Sequence, residues 1–197
     1  MTLSPTRPAV ARLFIAIEPP PRVLDHLAEF AAGLGTVRAG VRVTARRLWH
    51  VTLAFIGEVP ETVLPAAVAA LDLAVATVRL PAGPPEPRLA GGGRFGRGRF
   101  TILWTGIEGE LTPLRRATTR ALRRGRLPYD AKPYRPHLTL ARPGERVPAE
   151  VVGADLAALA GYRGPSWTVG GLVLYRSHLG PNPVYEPLHA AALPTAG

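Results

Sequence analysis

The chain has 197 residues, no cysteine and a single lysine, Lys132. Without cysteine there are neither disulfides nor thiolate metal sites, as expected of a cytoplasmic protein. No apolar run is long enough to cross a bilayer. The greasiest stretch, Val63 to Leu80, is broken by Pro65, Asp72 and Arg79. Residues 1–10 are polar and carry prolines, without the apolar centre of a secretory leader. Neither a membrane partner nor export is expected. Two signatures of common enzyme classes are also missing. There is no Gly-x-Ser-x-Gly elbow, and no glycine loop ends in Gly-Lys-Ser/Thr.

Acidic residues are scarce, 14 against 24 basic ones, and the imbalance is local. Residues 1–87 carry a net charge of +1, residues 88–142 carry +10, and residues 143–197 carry −1. A basic block of this kind suits a polyanionic partner. The abundance of Arg, Ala, Gly and Pro offers a plainer explanation, a codon bias that raises basicity without a purpose. Apolar residues make up 47%, which places the chain among folded globules rather than disordered segments.

One short spelling occurs twice. Residues 50–54 read His-Val-Thr-Leu-Ala, and residues 137–141 read His-Leu-Thr-Leu-Ala. Both are strand-like, and side chains alternate faces along a strand. His50 with Thr52, and His137 with Thr139, therefore share a polar face backed by leucine and valine. With fifteen threonines in the chain, one His-x-Thr spacing means little; two that both continue Leu-Ala are much harder to obtain by chance.

The remaining pattern alternates strands and helices. Arg12–Glu18 reads as a buried strand after a loose tail, 1–11. Pro21–Leu34 reads as an amphipathic helix with Val23, Leu24, Leu27, Phe30, Ala31 and Leu34 on one face and His26 off it. Val41–Thr44 and Leu48–Ile56 read as strands, Pro60–Val78 as a helix, and Arg88–Ala90 as a short strand. Gly91–Gly98 reads as a flexible basic hairpin connection, Phe100–Ile107 as a strand, and Gly109–Arg126 as a helix with most of its arginines outward. Pro148–Ala160 is a weaker helix. Ser166–Ser177 and Val184–Leu188 are the last strands, joined by a Gly180–Pro183 turn. This order predicts an α+β fold with antiparallel sheets. The two motifs lie half a chain apart, which predicts two duplicated lobes in one domain, 12–197, with a pseudo-twofold axis and a central cleft. With no heptad pattern, a monomer is expected.

Two imidazoles facing one another suit acid–base chemistry near neutral pH. Two threonine hydroxyls beside them can donate to the free oxygens of a bound anion. Together they point to cleavage of a phosphodiester without a metal. A zinc site would want a third protein ligand, and no carboxylate neighbours either motif on the cleft register. Arg135 shares the face of His137 if the strand extends through Pro136, and would then reach the phosphate or pair with an acid. Phe14 and Tyr134 are candidates for base stacking, with packing the plainer role for Phe14. His178 and His189 have no following threonine and read as surface residues.

At these residues the chain resembles the 2H phosphoesterase superfamily. It is most similar to the bacterial and archaeal RNA 2′,3′-cyclic phosphodiesterases, the LigT-like or 2′-5′ RNA ligase family. Arg12–Ile17, Trp49–Gly57, Arg135–Arg142, Leu174–Ser177 and Pro183–Leu188 carry the resemblance. It implies a bilobal fold with two antiparallel sheets flanked by helices. It further implies hydrolysis of an RNA or nucleoside 2′,3′-cyclic phosphate to a 2′-phosphate, with no cofactor and no metal. His50 would give a proton to the departing 3′ oxygen, His137 would activate water, and Thr52 and Thr139 would hold the phosphate. Reversal would join RNA ends through a 2′-5′ bond. Two other readings stay open: a superfamily member acting on a different small cyclic nucleotide, and a non-catalytic RNA-binding module built on residues 88–142.

Overall fold

The computed structural model describes residues 9–194. Its strands are β1 (Val10–Ile17), β2 (Val51–Pro60), β3 (Arg88–Phe95), β4 (Ile102–Glu108), β5 (His137–Ala141), β6 (Arg163–Ser166), β7 (Gly171–His178) and β8 (Val184–Ala192). Its helices are α1 (Pro21–Ala32), α2 (Gly35–Arg38), α3 (Leu64–Thr77), α4 (Thr112–Arg124) and α5 (Ala149–Ala160). The strands form two four-stranded sheets, ordered β2-β1-β7-β8 and β5-β4-β3-β6, in which every pairing is antiparallel. The expected α+β, two-sheet architecture is therefore present. The two His/Thr segments lie at matching places, since β2 and β5 are edge strands of their sheets.

Several expected boundaries move. Most of the expected tail, residues 1–8, lies outside the described residues, and β1 already begins at Val10. His50 precedes β2 by one residue, because a 3₁₀ turn at Arg46–Leu48 occupies the positions expected to open the strand. The glycine-rich stretch is not a loop for most of its length, because β3 runs through Gly91–Gly93 to Phe95. Glycine weakens a strand, but here no other residue fits. A Cβ on Gly93 would meet the indole of Trp104 at 2.6 Å, and one on Gly92 would meet the Trp104 carbonyl at 2.6 Å. Val41–Thr44 makes only a single bridge, Val43 to Ala141. The strand expected over 166–177 is two strands in different sheets, β6 and β7, separated by a crossing segment.

The apolar residues sort into two main cores with crossed ownership. The first sheet is covered by α3 and by α4. There Leu13, Ile15, Val51, Leu53 and Leu174 meet Leu71, Leu114 and Leu122. The second sheet is covered by α5 and by α1, where Leu138, Leu140 and Leu89 meet Leu159, Val23 and Leu27. Helix α1 follows a strand of the first sheet yet covers the second, and α4 does the reverse. Both helices have a narrow apolar stripe, and both carry a proline in the first turn, Pro21 in α1 and Pro113 in α4, where it fits.

Arg115 breaks the outward pattern of the α4 arginines. Its guanidinium donates to the carbonyl of Leu53 at 2.6 Å and to that of Asp130 at 2.6 Å. Charge-assisted bonds of this kind contribute about 1.5–3 kcal/mol each. Arg115→Met keeps the apolar stem and removes both. We expect it to lower the unfolding free energy by about 2 kcal/mol in urea titration, whereas Arg124→Met on the outer face should change it little.

Candidate active site

Each half of the site is built by the same device. In β2, Ala16 pairs with Thr52 but Ile15 pairs with Ala54, so Leu53 is an extra, bulged residue. In β5, Trp104 pairs with Thr139 but Leu103 pairs with Ala141, so Leu140 is the bulge. A bulge turns the residues beyond it to the other face. Simple alternation would put Ala54 and Ala141 in the cleft with the threonines. Both are instead buried, and the next residues, Phe55 and Arg142, face the cleft. The repeated Leu-Ala thus marks a repeated bulge.

The bulged carbonyls are satisfied from the opposite half. Leu53 accepts from Arg115 of α4, and Leu140 accepts from the backbone N–H of Thr44 at 2.8 Å. Next to them, Phe55 accepts from the N–H of Asp130, and Arg42 accepts from the N–H of Arg142. The segment before each motif strand therefore seals the free edge of the other motif strand. This crossing brings the two motifs to one cleft of about 640 Å³.

His50, Thr52, His137 and Thr139 all line that cleft. His50 Nδ1 lies 2.8 Å from the Leu48 carbonyl, and His137 Nδ1 lies 2.8 Å from the Arg135 carbonyl. A carbonyl only accepts, so both rings hold their proton on Nδ1 when neutral and present a basic Nε2. His50 Nε2 then accepts from the Thr52 hydroxyl at 3.0 Å. His137 Nε2 has no protein partner among the described residues.

Each imidazole has its own aromatic surroundings. Phe14 and Tyr185 lie 4.8 and 5.1 Å from the His50 ring, centroid to centroid. Phe95 stands edge-on to His137 at 4.8 Å, with Trp104 stacked against Phe95. Burial holds both imidazoles below the usual histidine range. At His50 the charge of His137 opposes protonation and the smaller effect of Glu18 favours it, while at His137 the charge of Arg135 opposes protonation. Glu18 is fixed by the hydroxyl of buried Tyr175, whose ring stacks on Phe14.

The other candidate residues are placed as follows. Arg135 is exposed and outside the cleft lining, because β5 begins only at His137. Its guanidinium lies 5.9 Å from the Trp104 ring. Tyr134 is turned away into the first core, with Arg115 over its ring. Phe14 is buried and also touches the cleft. His26, His178 and His189 bond to Tyr162, Glu186 and Asp72, respectively, away from the cleft. Arg12, Arg42, Arg47, Arg142, Phe55 and Tyr185 also line the cleft and were not singled out from the sequence. Arg12 was within reach, since it alternates with Phe14 along β1. Among the described residues, no group of three or more His, Cys, Asp or Glu side chains is placed to hold a metal, and no helix is long and apolar enough to cross a membrane.

Residues 17–86 and 105–185 match the family described as LigT like Phosphoesterase. The chain belongs to that family. It is 34% identical over 196 residues to an RNA 2′,3′-cyclic phosphodiesterase of Thermus thermophilus, covering 92% of this chain and 90% of that protein. A Geobacillus stearothermophilus protein of the same name is 36% identical over 154 residues, which is 76% of this chain. The matched region spans under half, 46%, of the Geobacillus protein. Escherichia coli LigT in complex with 3′-AMP superposes with a TM-score of 0.68 at 27% identity, covering 94% of this chain and 99% of that one. The resemblance read from the two motifs is therefore correct as to family.

The buried neutral imidazoles make a prediction. A folded-state pKa below the unfolded value of about 6.5 costs stability only where the unfolded chain takes up protons first. Stability should therefore hold above pH 6.5 and fall as the pH drops through 6.5. Nitrogen-detected NMR at pH 7.5 should show both rings protonated on Nδ1, with midpoints below 6.5 on acidification. A midpoint above 6.5 for both would contradict the burial argument.

Proposed function

We propose that this protein hydrolyses the 2′,3′-cyclic phosphate of an RNA end or nucleotide to a 2′-phosphomonoester, by two-histidine acid–base catalysis without a metal. The observation that carries the reading is the convergence of both His/Thr pairs on one cleft in a LigT-like phosphoesterase. The name shared by the Thermus and Geobacillus relatives supports the substrate class.

In this reading His137 Nε2, which has no protein partner among the described residues, takes a proton from water as the water oxygen bonds to phosphorus. The P–O3′ bond breaks on the opposite side, and His50 delivers its Nε2 proton to O3′. The products are a 2′-phosphate and a free 3′-hydroxyl. The two rings exchange protonation states and are reset by solvent. Thr52 and Thr139 donate to the two non-bridging oxygens, where charge gathers in the transition state. These are the roles the family resemblance implies; Glu18 favours an imidazolium at His50 against the larger effects of burial and of His137, and Arg135 favours a neutral ring at His137. When His50 is protonated its Nε2 no longer accepts from Thr52, so the Thr52 hydroxyl is released to the phosphate. With the 5′-hydroxyl of a second RNA in place of water, the same steps form a P–O5′ bond as the P–O3′ bond breaks, leaving a 2′-5′ phosphodiester and a free 3′-hydroxyl, which is the proposed ligation.

The test uses purified protein, nucleoside 2′,3′-cyclic phosphates and excess chelator, with the product isomer identified by NMR. A 2′-phosphate is expected. His50→Ala and His137→Ala should each lower kcat by about 100-fold or more, and Thr52→Val and Thr139→Val by about 10- to 100-fold. Full turnover in either histidine variant would end the two-histidine mechanism, and loss of activity with chelator would restore a metal. The pH dependence of kcat/KM should be bell-shaped with its maximum on the acid side of 6.5, because both free-enzyme imidazoles titrate below the usual value. A profile flat from pH 5 to 9 would exclude the scheme.

A further inference from the structure

The cleft carries more positive charge than one cyclic phosphate needs. Arg12, Arg42, Arg47 and Arg142 line it, and among the described residues no carboxylate does. Arg12 is partly matched by Glu58 at 3.8 Å and lies over the Phe55 ring. The other three are exposed and make no ion pair among the described residues.

Two of them are held against each other. Val43 bridges Ala141, and the N–H of Arg142 donates to the Arg42 carbonyl at 3.1 Å. In an antiparallel bridge this places Arg42 and Arg142 directly opposite, and like charges in that relation destabilise. Arg42 also has φ +46°, a left-handed backbone that costs an L side chain energy and that Gly or Asn takes more cheaply. Sealing the edge of β5 requires only the backbone of residues 42–44. An arginine is thus kept where both its charge and its backbone are unfavourable, at the mouth of an anion site. Arg47 stands five residues on, in the 3₁₀ turn that leads to His50.

We propose that Arg42, Arg47 and Arg142 clamp the phosphodiester one nucleotide upstream of the cyclic end, so that the substrate is the terminus of an RNA strand rather than a free nucleotide. This rests on the cyclic phosphodiesterase reading. Arginine matches phosphate oxygens bidentately, and three guanidiniums exceed the single charge of a cyclic phosphodiester. A second phosphate between them offsets the repulsion of Arg42 and Arg142.

Three substrates test it: a nucleoside 2′,3′-cyclic phosphate, the same nucleotide with a 5′-phosphate, and a dinucleotide ending in the cyclic phosphate. The wild type should favour the dinucleotide over the nucleoside by about tenfold or more in kcat/KM, mostly through KM. Arg42→Asn, which tolerates the left-handed backbone, and Arg47→Ala should each cut that preference at least fivefold. Each should also lower the salt slope of RNA binding by about 0.7. Equal kcat/KM for dinucleotide and nucleoside would overturn the clamp, as would variants that lower both alike. A 5′-phosphate that matches the dinucleotide would overturn the strand claim in favour of a mononucleotide pocket. Absence of turnover on every substrate would instead strike the underlying cyclic phosphodiesterase reading. The binding of a 2′-phosphorylated dinucleotide to the same variants, measured by anisotropy across salt, would then decide the clamp alone.

Discussion

Everything in this molecule depends on how two strand edges are closed. β2 and β5 each end a sheet, and each is bulged at a leucine next to its cleft threonine. A bulge in an edge strand leaves carbonyls that need donors, and buried ones are costly when unpaired. Here the donors come from the other half of the chain. Arg115 and Asp130 donate to β2 and Thr44 donates to β5, while Arg142, just past β5, donates back to the Arg42 carbonyl. The same bonds that close the edges set the distance between the two halves of the site. Catalytic spacing and sheet termination are one constraint rather than two.

Much of this was legible in the sequence. The His-x-Thr repeat gave the four cleft side chains because strand alternation holds over those three residues. It fails immediately afterwards. Phe55 and Arg142 enter the cleft because Leu53 and Leu140 are extra residues, and nothing in Leu-Ala distinguishes a bulge from regular strand. The glycines at 91–93 read as a loop because their composition says so. The space is set by Trp104 on the neighbouring strand, whose indole lies against Gly93 and whose carbonyl lies against Gly92. The reading over 166–177 failed for a related cause. Residues 163–166 and 171–178 are both extended, and only tertiary pairing assigns them to different sheets.

The pseudo-symmetry of the backbone does not extend to the charges. Both rings fix their Nδ1 proton on a carbonyl two residues back, so both are set up identically as bases. What separates them is a carboxylate beside one and a guanidinium beside the other. Glu18 reaches its place through a hydrogen bond to Tyr175, more than 150 residues away in sequence. That is why the difference between the motifs, which are almost identical as text, could not be read from them. A duplicated frame supplies the position of two equivalent groups, and later single residues make them inequivalent.

The crossed helices carry a consequence for how the chain reaches this state. α1 covers the sheet that its own neighbouring strand does not belong to, and α4 does the same in the other direction. Neither half has a complete core of its own. A nascent chain that has emerged only as far as β2 holds an apolar helix with no sheet to cover and a strand edge with no partner. Folding must therefore wait for contacts far apart in sequence, which slows it and makes it all-or-none. For the same reason a half cut from the other would lack one of the helices that cover its sheet. A unit of this design could stand alone only as a pair of copies exchanging helices, and the present chain has the construction of such a pair made continuous.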